Sequence, residues 1–378
     1  MQRCSAGNEL SRQKIPLIKP YITQEVKDKV CEVLESGYLT EGPVTKEFEE
    51  AFRTYVECRH AIAVTSCTTG LEMALRVMNI GPGDEVIIPD YTYPATADVV
   101  AIVGADTVIV DVSKDTMLID YDALEQAITP RTKAVIPVSI FGNPLDYGRL
   151  NAIKKKHGIA IIEDAACSIG AEYKGGKVGS FADISVFSHH PRKFITTGEG
   201  GMITTNNPEW GAWMDSYKHF GMGSVTDREG VVFSRIGTNY KLSNILAAVG
   251  LVQMRQIDEL LNKRTELAEK YKELLAALGN AQIPQTTAGG RHSYQSFCIF
   301  VEDRDRIMKK MRDNGVEVQI GTYALHMHPA FAESSHIIHH GSFEGSCYAF
   351  DHCLTLPLYH ELTEDDQKYV IDMLQSFL

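Results

Sequence analysis

IIEDAACSIGAEYKGGKVGSFADISVFSHHPRKFITTGEGGM runs from Ile161 to Met202. It opens as a short apolar strand that ends in two carboxylates, Glu163 and Asp164. It closes with Gly198, Gly200 and Gly201 leading into another apolar run, and Lys193 sits in the loop between. A continuous apolar run without alternation is the pattern of a strand buried on both faces, as in a parallel sheet covered by helices. In open α/β sheets ligands gather at the carboxyl ends of the strands. Asp164 stands at such an end.

Working outward, similar runs recur at Ala61–Val64, Glu85–Pro89, Thr107–Val112, Ala134–Val138, Ile159–Glu163, Ile184–Ser188 and Gly201–Thr204, with helical stretches between them. Residues 23–36 carry apolar side chains at helical spacing, Val26, Val30, Val33 and Leu34, and a second amphipathic segment covers 45–57. This is an α/β chain with a large, mostly parallel sheet. Residues 242–277 read as one long helical region. Beyond Pro284 the pattern changes to a strand in SYQSFCIFVE, a helix in RDRIMKKMRDNG, a strand in VEVQI and a terminal helix from Thr363. We expect two domains: 1–255, large and α/β with the N-terminal segment included, and 256–378, small and α+β.

The 378 residues are 44% hydrophobic and 23% charged, an ordinary globular composition. A net charge of -12 repels a phosphate backbone, so nucleic-acid binding is not expected. The eight cysteines are scattered with no C-x-x-C pair. That argues against zinc and a redox dithiol, and for reduced thiols in a cytoplasmic protein. MQRCSAGNELSRQK has no apolar core of a secretion signal, and the most apolar early stretch, Val99 to Val110, is too short to cross a membrane. No metal is expected. The SSHIIHHG run (334–341) reads as a polar surface loop, since no acid or cysteine completes a ligand set.

Single residues leave the chemistry open. Asp164 could cap a helix or pair with a cofactor's ring nitrogen. Lys193 alone reads as a surface lysine. As a nucleophile it would need apolar and cationic neighbours to lose its proton, and His189, His190 and Arg192 could supply them. The glycines are not a phosphate-binding P-loop, because no GK[ST] follows.

The order of motifs says more. IEDAA, G-A-x-Y-K-G-x-x-V-G, D-x-x-V-F-S and K-x-x-x-x-GEGG together resemble the DegT/DnrJ/EryC1/StrS family of sugar aminotransferases, enzymes of fold type I that use pyridoxal 5'-phosphate (PLP). SGYLTEGPVTKEFEEAF, VTSCTTGLEMAL, GPGDEVIIPDYTYPATADVV, KAVIPVSIFGNPLD, GTNYKLSNILAAVGLVQM and LPLYHELTEDD follow the family's order across nearly the whole chain.

The resemblance implies that Lys193 holds PLP covalently and moves the proton during transamination, while Asp164 pairs with the pyridine nitrogen. Tyr93 falls where the family stacks an aromatic ring on the cofactor. Ser66, Cys67 and Thr68 form the phosphate turn before a helix, where free amides suit a dianion, and Ser188 adds a hydroxyl. Asn239 matches a residue that reaches the phosphate of the neighbouring subunit, which implies a homodimer with shared sites. Two positions depart from the pattern. Cys67 stands where glycine is usual, and Cys167 where many members place Gln or His beside the cofactor's phenolic oxygen; a thiol is a weaker donor.

The family's substrates would be glutamate as amino donor and a nucleotide-linked keto-sugar as acceptor. TYALHMHPAF (322–331) resembles the segment found in members acting at C4, so C4 is favoured over C3. It makes Tyr323 and His326 candidates for the sugar site, alongside His190 and Lys241. Alternatives on the same scaffold are a keto-cyclitol aminotransferase, or a PLP-binding dehydratase or regulatory protein. Some relatives dehydrate with histidine in place of the lysine; here the lysine is present.

Overall fold

The structure is a computed structural model that describes residues 14–223, 230, 232–276, 278 and 281–378. Cys4 and most of the N-terminal stretch discussed above lie outside the described residues.

Eight strands form the central sheet in the order His60–Val64, Gly201–Thr205, Ile184–Ser188, Ala160–Asp164, Thr132–Val135, Glu85–Pro89, Asp106–Val110, Ile337–His340. Gly201–Thr205 runs against both of its neighbours; the remaining pairs are parallel. The carboxyl ends of Val64, Asp164 and Ser188 therefore lie on one edge. Gly201, the first residue of the reversed strand, sits between Val64 and Ser188 on that same edge.

The sheet is buried on both faces. Ile87 packs into one apolar cluster while its neighbours Val86 and Ile88 pack into the other. Both sides of the pleat are thus apolar, which is why these strands show no alternation in the sequence. A third cluster, built on Leu267, Tyr271, Phe297, Leu354 and Leu374, forms the core of the C-terminal part, and Ile15 joins it through a bridge to Val316.

Local signals explain the helix ends. Thr23 caps Gln24–Ser36 by accepting from the Val26 amide, and Gly37 ends it in the left-handed region at φ 68°. Pro43 starts Pro43–Val56 at a position where its missing N–H costs nothing. Ser66 and Thr69 form a reciprocal capping box at the start of Cys67–Val77. The region expected as one helix over 242–277 is two, Asn244–Arg255 and Ile257–Ala276, broken at Gln256.

SSHIIHHG is not a loop. Ile337–His340 forms an edge strand parallel to Asp106–Val110, with Ile337 opposite Thr107 and His340 opposite Val110. Histidines suit an edge, where one side of the strand meets water.

Charge is also buried away from the strand ends. Lys218 is fully buried, its ammonium 3.0 Å from Glu49, 3.1 Å from Glu41 and 3.4 Å from Asp215. Glu41, Asp215 and His219 are close enough together to suggest metal ligands, but Lys218 already supplies their cation.

Candidate active site

The carboxyl edge of the sheet opens into a cavity of about 410 Å³. Ser66, Cys67, Thr68 and Ser188 line it, as do Tyr93, Asp164, Cys167 and Lys193. His190 and Tyr323 line it as well. Asn239, Lys241 and His326 lie outside that lining.

Successive residues of a strand face opposite ways, and the Glu163–Asp164 pair uses both directions. Glu163 points away from the cavity and accepts from Tyr147 at 2.6 Å, Ser185 at 2.9 Å and the Ser139 hydroxyl. Asp164 faces the cavity. Its Oδ2 accepts from the Thr96 hydroxyl at 2.8 Å, and its Oδ1 from the Ala166 amide at 3.1 Å and from the Cys67 thiol at 3.9 Å. Burial lifts the Asp164 carboxyl above the usual range, while the Thr96 and Ala166 donors and the nearby Lys193 ammonium hold it down in part. The Cys67 thiol is pushed well up by burial and by the Asp164 charge, so it stays protonated and donates.

The Lys193 ammonium donates to Cys167 Sγ at 3.1 Å. His189, His190 and Arg192 could have supplied cationic neighbours, but none of them is among the groups that shift the amine. Burial pulls the ammonium down, but Cys167, Asp164 and Cys67 push it up, and the balance lies above the ordinary lysine value. His189 turns into the core, while His190 and Arg192 line the cavity beside Lys193, exposed to water. His189 is packed between Phe48 and Phe52 at 5.4 and 5.7 Å, and burial drives it down to about 3.

Two glutamines fix the backbone around Lys193. Gln295 accepts from the Phe194 amide and donates to the Arg192 carbonyl, both at 2.6 Å. Gln253 does the same at Thr196, at 2.9 and 3.1 Å. Neither glutamine carries a local motif, and both are residues the sequence reading missed, as is Thr96. Only their contacts across the fold reveal them.

The turn at Ser66–Thr68 depends on Gly201. A Cβ there would meet the Ser66 carbonyl carbon at 2.6 Å and the Cys67 nitrogen at 2.7 Å. Glycine therefore lets the reversed strand pass directly beneath the helix start. The first amides of Cys67–Val77 have no partner within the helix, which leaves donors and a positive dipole end for an anion. An amine, a carboxylate, a helix start with free amides and an aromatic ring on one cavity fit PLP. Tyr93 is 66% exposed, an unusual state for a large ring that lines a cavity.

Asn239 and Lys241 form another group. Lys241 bonds the Asn239 side chain and lies over the Phe220 ring at 4.6 Å, away from the cavity of its own chain. His326 is turned to Asp90.

Comparison with known proteins adds identity to this geometry. The model of the DegT/DnrJ/EryC1/StrS aminotransferase family matches residues 20–375. Spr1654 from Streptococcus pneumoniae, described as a sugar aminotransferase and solved in its PLP form, superposes with a TM-score of 0.90 at 30% identity, over 96% of this chain and 98% of that one. A DegT DnrJ EryC1 StrS aminotransferase from Brucella abortus gives 0.87 at 32% identity, over 93% and 95%. Helicobacter pylori PseC, an aminotransferase involved in the biosynthesis of pseudoaminic acid, gives 0.90 at 25% identity, over 97% and 99%.

Proposed function

This chain belongs to the DegT/DnrJ/EryC1/StrS aminotransferase family and is a PLP-dependent sugar aminotransferase; on that premise we propose that it moves an amino group from glutamate to the C4 keto group of a nucleotide-linked sugar. The observation that carries this reading is the convergence of Lys193, Asp164 and the Cys67–Val77 helix start on one cavity that continues to Tyr93 and Tyr323.

Bound there, PLP supplies an electron sink for the carbon that gains or loses nitrogen. The chain's own groups do the rest. Asp164, steadied by Thr96 and Ala166, holds a proton at the ring nitrogen. The Cys67 and Thr68 amides and the Ser188 hydroxyl receive the phosphate. Lys193 would hold the cofactor through its amine and, when free, would be the base that takes the proton from the reacting carbon and returns it. Cys167 stands beside that amine. Arg192 lines the same cavity with no carboxylate of this chain paired to it among the described residues, and so suits a substrate's carboxylate or diphosphate.

The sugar end of the proposal is supported by Tyr93 and Tyr323, whose ring centroids are 6.3 Å apart on the cavity wall. A pair of aromatic faces suits a sugar ring or a base. A homodimer with shared sites is supported by the outward placement of Asn239 and Lys241 beside exposed apolar side chains. Phe220, Phe233 and Ile236 are 49%, 59% and 95% exposed, which argues for a covering partner. The seven described cysteines are all free, in keeping with a cytoplasmic enzyme. Among the described residues no helix is long and apolar enough to cross a membrane.

The test is a pair of half-reactions. Glutamate is expected to bleach the yellow holoenzyme, and a nucleotide-linked 4-keto sugar to restore the colour faster than the 3-keto isomer or a free keto-cyclitol. Restoration by the cyclitol alone would replace the sugar nucleotide reading.

A further inference from the structure

We propose that Asp90 and His326 are positioning residues that act through each other to set Tyr323 on the cavity wall, and so set the fit of the acceptor sugar. The inference rests on the acceptor reading above and assigns His326 a role without contact to substrate.

Asp90 is fully buried, and both of its carboxylate oxygens meet His326, with the Ser346 side chain a weaker further donor. Oδ1 accepts from the His326 backbone amide at 2.8 Å, and Oδ2 faces His326 Nδ1 at 2.6 Å. The Asp90 carbonyl accepts from the Leu325 amide at 3.1 Å, while its own amide donates to Val110 in the central sheet at 2.8 Å. A carboxylate removed from water needs such partners, because leaving one oxygen bare is costly. The turn at 325–327 is therefore tied to the end of a core strand.

What the tie holds is a short antiparallel ribbon. Tyr323 pairs with Thr92 and Ala324 with Tyr91, and the Thr322 amide donates to the Tyr91 hydroxyl at 3.2 Å. Tyr93 leaves one end of this ribbon and Tyr323 belongs to the other strand, and both line the cavity. His326 has nothing left to offer a ligand there. Its ring stacks on Phe343 with centroids 4.6 Å apart, and Nε2 faces Cys347 Sγ at 3.7 Å. Its influence on the sugar must pass through the backbone to Tyr323.

The experiment uses holoenzyme carrying Asp90→Asn, His326→Ala, the double change, or His326→Asn, whose amide can donate where Nδ1 does. Half-saturation by the nucleotide-linked 4-keto sugar is expected to rise about tenfold in each of the first two and no further in the double variant. His326→Asn should recover most of the loss, and the bleaching by glutamate, which does not use the sugar, should change far less. Additive losses, an unchanged acceptor response, or no recovery by His326→Asn would overturn the proposal. If no keto-sugar restores colour even to the unmodified enzyme, the acceptor reading fails. The crystal structure of Asp90→Asn then decides this one: a displaced Tyr323 supports it, and an unmoved Tyr323 overturns it.

Discussion

Cys167 Sγ lies 3.1 Å from Lys193 Nζ, closer to the amine than any carboxylate that the structure pairs with it. The contact couples the lysine's charge to a sulfur.

Because Cys167 is among the groups that raise Lys193, replacing it should ease loss of the lysine's proton. Loading of PLP onto the apoprotein needs the neutral amine, so loading should accelerate with rising pH in the native protein. Cys167→Ala should load faster at neutral pH and show its rise at lower pH. Stopped-flow absorbance at a series of pH values checks this, and identical profiles would contradict it. The sign for stability is the reverse: a raised lysine stabilises the apoprotein below its ordinary 10.5, and the contribution fades as pH climbs past the raised folded value.

His189 is held neutral by burial, at about 3 against an ordinary 6.5. The unfolded chain takes up a proton below 6.5 and the folded chain does not, so stability from this residue is complete above 6.5 and is lost as pH falls toward 3. His189→Phe keeps a ring between Phe48 and Phe52 and removes the titration. Urea midpoints measured down the acid limb should fall less steeply in the variant than in the native protein.

Lys218→Met should be destabilising, on the order of 3 kcal/mol, because it removes the buried cation of Glu41 and Glu49 and leaves them only the half-exposed Lys46. Adding Glu49→Gln should recover part of the loss by removing one of the stranded charges. Denaturant unfolding of the two variants provides the comparison.

Gly201→Ala should weaken PLP binding by about tenfold or more and also lower stability, since the added Cβ presses on the Ser66–Cys67 backbone proposed to receive the phosphate. Absorbance titration with PLP measures it. A variant that binds as tightly as the native protein would show that the phosphate turn tolerates a shift.

Much of the large sheet was readable from sequence for a physical reason. Strands such as Glu85–Pro89 and Ile184–Ser188 are buried on both faces, so their apolar runs begin and end where the strands do. Ile337–His340 escaped because an edge strand half in water can carry histidines and read as a loop. In the cavity, Lys193 and Asp164 were legible because a fixed order of motifs surrounds them. Gln295 holds the Phe194 amide from 101 residues away, and Asp90 meets His326 across 236. No local pattern announces a contact of that kind. His189 was read as a neighbour of the lysine's charge, but its position on the strand end turns it into the core instead.

Lys193 is proposed to carry the cofactor and yield it to an amino donor. Holoenzyme reduced with borohydride, digested and mapped by mass spectrometry tests this directly. The cofactor's mass is expected on the peptide containing Lys193, and is expected to be lost from that peptide when glutamate is added before reduction. Labelling at another lysine, or a label on Lys193 that no amino donor removes, would contradict it.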